Sequence, residues 1–174
     1  MNGDPSQPAP LTELGRAEAE LLGLEVAEIG LDVCVHTRFA RTHETAELAV
    51  GDRAPFVVEP LLDDIAVGEL EGLPIAEYRA WKRQHQRTDP FPGGESLDDA
   101  ALRYARAFRR LLEAGYESAL VVCHEIPIRY ALNAAAGSKE LDGPVHDIPN
   151  STPFLFDERA LDRAAAGIAA LVGA

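Results

Sequence analysis

The sequence predicts an α/β fold of three layers, in which a mostly parallel sheet is covered by helices on both faces. Short apolar runs typical of buried strands alternate along the chain with longer segments of three- and four-residue apolar periodicity, which are typical of helices. This alternation favours parallel strands joined by helical crossovers. The length of 174 residues fits a single core, and we predict one domain over residues 1–174.

The strand predictions depend on short apolar runs that are bounded by turn-forming residues. The run that ends at Cys123 is the most strongly apolar of them. The predicted strands are residues 32–37, 56–61, 118–123 and 152–156.

The helix predictions depend on apolar periodicity and on capping residues. Thr12 can cap a first helix in which Leu14, Ala17, Leu21 and Leu24 form one apolar face, and Ser96 with Asp99 forms a capping box. Gly137 is expected to end a later helix. The predicted helices begin near residues 12, 40, 74, 96, 126 and 161 and extend to about residues 30, 50, 86, 111, 136 and 171.

Composition excludes several classes of partner. A formal net charge of −13 repels polyanions, and the arginines form no basic stripe, so we expect no nucleic acid partner. No apolar run is long enough to span a membrane, and the first residues lack the pattern of a signal peptide, which predicts a cytoplasmic protein. Cys34 and Cys123 lie in valine-rich runs and are expected to be reduced and buried, with a disulfide or a metal role as the alternative.

Two predicted strand ends supply candidate site residues. Ligands of parallel sheets gather at the carboxyl ends of strands, where Thr37 and His124 are predicted to lie. His124 also precedes a helix, whose first backbone N–H groups and dipole favour an anion such as phosphate. A histidine satisfied by local backbone groups is the alternative interpretation.

Two charged residues could complete such a site. Arg41 begins a helix directly after a strand end, and its guanidinium can hold a phosphate through two hydrogen bonds. Asp64 is a carboxylate in a loop, a position that can carry chemistry but is more often solvated. For both residues a solvated surface position is the alternative. No metal site is predicted, because the segment from His43 lacks the second histidine of a His-Glu-x-x-His motif.

Spaced motifs along most of the chain resemble those of the histidine phosphatase (phosphoglycerate-mutase-like) family. The match runs from about Gly3 to Phe156. The motifs are Leu-Thr-Glu-Leu-Gly-Arg-Ala at 11–17, Thr-Arg-Phe-Ala-Arg-Thr-His-Glu-Thr-Ala at 37–46, Leu-Asp-Asp-Ile-Ala-Val-Gly-Glu-Leu-Glu-Gly at 62–72, Pro-Gly-Gly-Glu-Ser at 92–96 and Val-Val-Cys-His-Glu-Ile-Pro-Ile-Arg at 121–129.

The resemblance implies a phosphoryl-transfer enzyme, a phosphatase or a mutase, that acts on a small phosphorylated substrate and needs no cofactor. It implies that Arg41 binds phosphate and that His124 is the second active-site histidine, which stabilises the transition state. Asp64 takes the register of the family's glutamate, the general acid, with a side chain one methylene shorter. Glu125 replaces the glycine that follows the histidine in the family, and Glu95 has value as a marker of the motif.

One expected motif is absent from the sequence. The family's nucleophile is the histidine of an Arg-His-Gly motif on the first strand, and no Arg-His-Gly occurs in these 174 residues. We therefore expect an N-terminally truncated chain that lacks this strand, leaves an inner edge of the sheet exposed and is inactive. His36 lies nearest among the other histidines, but its position corresponds to the phosphate shell of the family and not to the nucleophile.

Two hypotheses follow for the function. The first is a phosphomonoesterase or mutase of this family, represented by a shortened chain. The second is a non-catalytic phosphate-binding or interaction protein on the same fold. The sequence does not identify the substrate or the oligomeric state.

Overall fold

The computed structural model describes residues 3–7 and 9–173 and has the predicted three-layer α/β architecture. Within these residues the sheet contains β1 (Val33–His36), β2 (Phe56–Val58) and β3 (Ala119–Val122) in the order β2-β1-β3. All of these strands are parallel. Each lies inside a predicted strand, and β2 is shorter than predicted because Pro60 starts a 3₁₀ turn that the Glu59 side chain caps.

Helices cover both faces of this sheet. Side chains alternate along β3, so that Leu120 and Val122 pack towards the helices at 13–25 and 40–50, whereas Val121 and Cys123 pack towards those at 97–114, 125–135 and 158–171. Cys123 and the buried Cys34 are free thiols. None of the helices in residues 3–7 and 9–173 is both long and apolar enough to cross a membrane. The helices are α1 (Glu13–Glu25), α2 (Ala40–Val50), α3 (Ile75–Gln84), α4 (Leu97–Ala114), α5 (Glu125–Ala135) and α6 (Glu158–Leu171).

The predicted caps of α1 and α4 are present. The Thr12 hydroxyl accepts a hydrogen bond from the backbone N–H of Gly15 at 3.1 Å. Ser96 and Asp99 form both bonds of a capping box, which fixes the point at which α4 begins. Gly137, which follows α5, adopts a φ of +77°, a left-handed conformation that favours glycine.

The apolar face predicted for α1 is wrong. Leu14, Leu21 and Leu24 are 70%, 59% and 74% exposed, and the buried positions are instead Ala19, Leu22 and Val26. The helix has two apolar stripes, and close packing against α2 selects the stripe that carries small residues. A Cβ on Gly23 would lie 3.1 Å from the carbonyl oxygen of Ala49 in α2, so only a small residue permits this approach.

The strand predicted at residues 152–156 is also wrong. This segment is irregular and exposed, with 98% of Leu155 accessible to solvent. Pro153 has no N–H to donate to a ladder. An extended segment becomes a strand only when a neighbouring backbone pairs with it, and in the described part of the chain no strand lies beside this one.

The same absence leaves one edge of β3 open. Cys34 donates its N–H to Pro55 on the β2 side, so Val33 and Val35 bond to β3. The parallel register then directs the N–H and C=O groups of Ala119 and Val121 away from β1, to an edge that carries no strand among residues 3–7 and 9–173. The expected exposed edge is therefore present, and β3 contains neither charge nor proline that would protect it.

Candidate functional site

Two helix N-termini lie side by side at the carboxyl edge of the sheet. α2 follows β1 and α5 follows β3, and these two strands are neighbours. The residues that precede the two helices, Phe39 and His124, make no side-chain cap bonds. Their rings pack edge to face with centroids 4.7 Å apart. This arrangement brings two positive helix ends to one place, which favours an anion.

Arg41, His124 and Asp64 meet at this place. Arg41 Nη2 lies 3.1 Å from Asp64 Oδ2 and 3.0 Å from His124 Nδ1. The carboxylate and the imidazole do not bond directly, because Asp64 Oδ2 and His124 Nδ1 are 3.8 Å apart. One guanidinium nitrogen therefore joins the three residues that the sequence predicted for the site. The Arg41 guanidinium carbon also lies 4.3 Å from the centre of the Phe39 ring.

The hydrogen bonds fix the tautomer of His124. A guanidinium can only donate, so His124 Nδ1 accepts from Arg41 and the ring proton lies on Nε2. His124 Nε2 donates to Thr37 Oγ1 at 3.0 Å, and Thr37 Oγ1 lies 2.8 Å from Thr42 Oγ1. The Thr42 hydroxyl in turn lies 2.9 Å from the carbonyl oxygen of Phe39. Because His124 already donates to Thr37, the Thr37 hydroxyl proton goes to Thr42 and the Thr42 proton to Phe39.

The adjacent carboxylates Asp63 and Asp64 have different partners. Asp63 accepts the backbone N–H of Arg38 at 2.9 Å and Nε of the same residue at 2.6 Å. This pair holds the loop after β1, and Asp63 is only 4% exposed. The Asp64 side chain, which is 27% exposed, is the one that faces Arg41.

The environment makes Asp64 a weaker acid than an ordinary aspartate. Burial raises the pKa of Asp64 to about 6, against opposing contributions from Arg41 and from the backbone N–H of Ile65. Glu125 raises the pKa further, and Arg103 lowers it. A carboxyl with this pKa holds its proton in about one molecule in ten at pH 7, roughly a hundred times as often as an ordinary aspartate, which favours a role as a proton donor.

Burial has the opposite effect on the pKa of the His124 imidazole. It lowers the pKa of His124 to about 3, and the positive charges of Arg41 and Arg103 lower it further. The histidine is therefore neutral in the ligand-free site. An anion placed beside it would favour the charged form and raise this pKa.

Glu125, which replaces the family's glycine, does not block the site. It is the first residue of α5 and lies in ordinary helical conformation. Its carboxylate points along the helix and accepts from Arg129 Nη1 at 2.7 Å. The side chain is 53% exposed. No glycine is needed at this position for the backbone to form the turn.

His36 belongs to a different group of side chains. Its Nδ1 donates to the carbonyl oxygen of Thr37 at 2.7 Å. Its ring lies 4.8 Å from that of His43 and 6.1 Å from that of Phe56. This packing directs the ring to the α2–β2 side, away from the cluster around His124.

The sequence did not reveal every residue that supports the site. Arg103 and Glu95 form an ion pair at 2.6 Å beside the Asp64 loop. Their separation of eight residues, about two helical turns, was the available signal. From the sequence, Glu95 is interpreted as a first-turn helix charge and as a marker of the motif, and the Thr37–Thr42 contact requires the loop geometry.

Comparison with known proteins finds relatives of this chain. The chain is 35% identical to the 2,3-bisphosphoglycerate-dependent phosphoglycerate mutase 2 of Gloeobacter violaceus in an alignment 140 positions long, and the match covers 71% of this chain. The match spans 63% of that relative, so the chain covers less than two thirds of its length.

Two solved structures superpose on most of this chain. YhfR of Bacillus stearothermophilus superposes with a TM-score of 0.75 at 25% identity, over 87% of this chain and 79% of that one. The α-ribazole phosphatase of Shigella flexneri superposes with a TM-score of 0.67 at 26% identity, over 79% and 72% of the two chains.

A match to a family profile identifies the family of this chain. The profile of the histidine phosphatase superfamily (branch 1) matches residues 5–152, which include both strand ends, Arg41, the Asp64 loop and His124. With a match over most of its length and with relatives and structural neighbours of the same kind, the chain belongs to the histidine phosphatase superfamily.

Proposed function

We propose that the cluster of Arg41, His124 and Asp64 binds the phosphoryl group of a small phosphomonoester and that Asp64 is the proton donor to the leaving group. The observation that carries this proposal is the single nitrogen, Arg41 Nη2, which contacts both other residues at the helix N-termini. A phosphoryl oxygen that binds Arg41 replaces the Asp64 carboxylate there. Asp64 is then free to take up a proton and to give it to the departing oxygen.

Relatives of this chain support the substrate class. One is named as a phosphoglycerate mutase and one as an α-ribazole phosphatase. We therefore propose phosphoryl transfer, by hydrolysis or by a mutase reaction, as the chemistry for which this site is built. A small phosphorylated molecule is the proposed partner.

We further propose that the 174-residue chain does not itself turn over a phosphomonoester. No Arg-His-Gly is present in the sequence, and the nearest other candidate, His36, packs against His43 instead of the cluster. Loss of a nucleophile costs on the order of 10⁶ in rate. An assay with a generic aryl phosphate should give no turnover above background. Turnover that disappears in His36→Ala or His124→Ala would refute this part of the proposal.

Anion binding tests the site without requiring catalysis. Titration with sulfate or vanadate, followed by NMR or calorimetry, should show weak binding that Arg41→Ala abolishes. Arg109→Ala is the matched control, because Arg109 is an exposed arginine on α4. Binding that survives Arg41→Ala and is weakened by Arg109→Ala would place the anion elsewhere.

The absent motif also supports a second candidate, a non-catalytic phosphate-binding protein. Both candidates predict anion binding, so the genomic reading frame distinguishes them. An in-frame Arg-His-Gly upstream of the Met1 codon would support the enzyme. An in-frame stop codon directly upstream would support the binding protein.

A further inference from the structure

Arg103 of α4 donates to three backbone carbonyls in the segment that carries Asp64. Its Nη1 lies 2.9 Å from the oxygens of both Leu61 and Asp63. Its Nη2 lies 3.3 Å from the oxygen of Asp64. These bonds need the planar, five-donor fork of a guanidinium, and a lysine ammonium cannot reproduce them.

Glu95 completes the attachment on the other side of Asp64. Its Oε1 accepts from Arg103 Nη2 at 2.6 Å and from the backbone N–H of Ala66 at 3.0 Å. Its own N–H donates to the carbonyl oxygen of Ala66 at 3.0 Å. The backbone is therefore held before Asp64 by Arg103 and after it by Glu95. The two side chains are only 15% and 21% exposed, so water competes weakly for their ion pair, whereas Ala66 and its bond to Glu95 are exposed.

Two glycines show how closely the segments meet. A Cβ added to Gly94 would collide with the carbonyl oxygen of Ala66, and one added to Gly68 would collide with that of Pro92. Gly68 also has a φ of +54°. The Asp64 segment thus rests directly on the loop before α4, with no space for an intervening side chain.

We propose that Arg103, braced by Glu95, is a positioning residue that keeps the Asp64 side chain against Arg41 and His124 and sheltered from water. The inference rests on the proposed function in treating Asp64 as the proton donor of a phosphoryl site. Arg103 itself acts through the backbone of residues 61–64. The alternative is that Arg103 contributes only to the stability of the fold.

The substitution Arg103→Lys separates these roles because it keeps the positive charge and removes the fork. Charged groups that face Asp64 from other elements, Arg41 of α2 and Glu125 of α5, stay in place, as does the neighbouring His124. A loosened segment admits water, so the pKa of Asp64 should fall from about 6 towards its ordinary value of 3.8, by about one unit or more.

The measurement is a ¹³C NMR titration of the Asp64 carboxyl group, assigned with Asp64→Asn, together with hydrogen exchange of the Ala66 amide. In Arg103→Lys that amide should exchange roughly tenfold faster, since it loses a fixed acceptor. Arg106→Lys, at an exposed position of the same helix, should change neither quantity.

A folded Arg103→Lys protein with the wild-type pKa of Asp64 and unchanged Ala66 exchange would overturn the proposal and leave Arg103 a purely structural role. If this variant does not fold, Glu95→Gln serves instead, because the amide oxygen still accepts from Ala66 while Arg103 loses its charged partner. The fall in the pKa of Asp64 is then expected without faster exchange of the Ala66 amide, and its absence refutes the inference. Failure of the wild-type protein to bind sulfate would refute the proposed function alone, because the Asp64 titration needs no ligand.

Discussion

Anion binding at this site should depend on the protonation of Asp64. The Asp64 carboxylate accepts a hydrogen bond from Arg41 Nη2 at 3.1 Å. An anion that binds Arg41 must therefore displace this carboxylate and then lie beside it. Two negative charges in a partly buried pocket repel each other, and a proton on Asp64 removes this repulsion. Sulfate is a suitable probe because it stays a dianion across the range of interest.

The magnitude follows from the pKa of Asp64, which burial raises to about 6. If sulfate binds only the protonated form, the apparent dissociation constant is proportional to one plus the ratio of ionised to protonated Asp64. Binding should then be about tenfold weaker at pH 7 than at pH 5, and roughly 30-fold weaker at pH 7.5. His124 stays neutral in this range in the ligand-free protein, since its pKa is lowered to about 3.

The assay is calorimetric titration with sulfate at constant ionic strength, which holds the screening of charges fixed. Asp64→Asn mimics the protonated side chain at every pH, so it should bind sulfate with nearly constant affinity. If Asp64→Asn keeps the whole pH dependence of the wild type, the titrating group is not Asp64 and the reasoning fails. A wild-type affinity that does not change from pH 5 to pH 7.5 would refute it equally.

Three further predictions concern the fold. The pKa of Asp64 is higher in the folded chain than its ordinary value of 3.8, so its contribution to the unfolding free energy falls as pH rises from about 4 to about 6. Urea unfolding at pH 7.5 should therefore find Asp64→Asn more stable than the wild type by at most about 3 kcal/mol, with no gain below pH 4. Burial raises the pKa of Cys34 to about 11 and that of Cys123 to about 12. Iodoacetamide at neutral pH should therefore label neither thiol until the chain is unfolded. Rapid labelling of the folded chain would contradict this burial. The open edge of β3 should cause concentration-dependent association, measured by light scattering. Val121→Pro removes an N–H that faces this edge and should reduce the association. A wild-type chain that stays monomeric at high concentration would count against this prediction.

The local parts of the fold could be predicted from the sequence. Caps, glycine stops and apolar runs depend on residues close together in the chain, and they place α2, β3 and the start of α4 within a residue or two. The site residues followed from motif spacing and from the rule that ligands gather at strand ends. Both strand ends are where this rule expects them, with His124 directly before α5.

The two wrong predictions, the buried face of α1 and the strand at residues 152–156, involve contacts between distant segments. The face of α1 that becomes buried depends on whether Gly23 or a leucine meets α2, and periodicity within one helix contains no information about its neighbour. Residues 152–156 have the apolar pattern of a strand, but pattern cannot supply the partner that makes one. Both errors therefore have the same origin, a partner surface that the segment itself does not specify.

The adjacent carboxylates Asp63 and Asp64 show how much of the chemistry depends on such partners. They are identical in type, yet only Asp63 accepts hydrogen bonds from both the backbone N–H and the side-chain Nε of Arg38. Asp64 has a single guanidinium contact, one local N–H bond and an environment that raises its pKa. Successive side chains in an extended loop point in opposite directions, so the backbone that Arg103 and Glu95 hold also decides which carboxylate reaches the anion site. We therefore place the control of the proposed proton donor in the Arg103–Glu95 pair, outside the cluster of Arg41, His124 and Asp64.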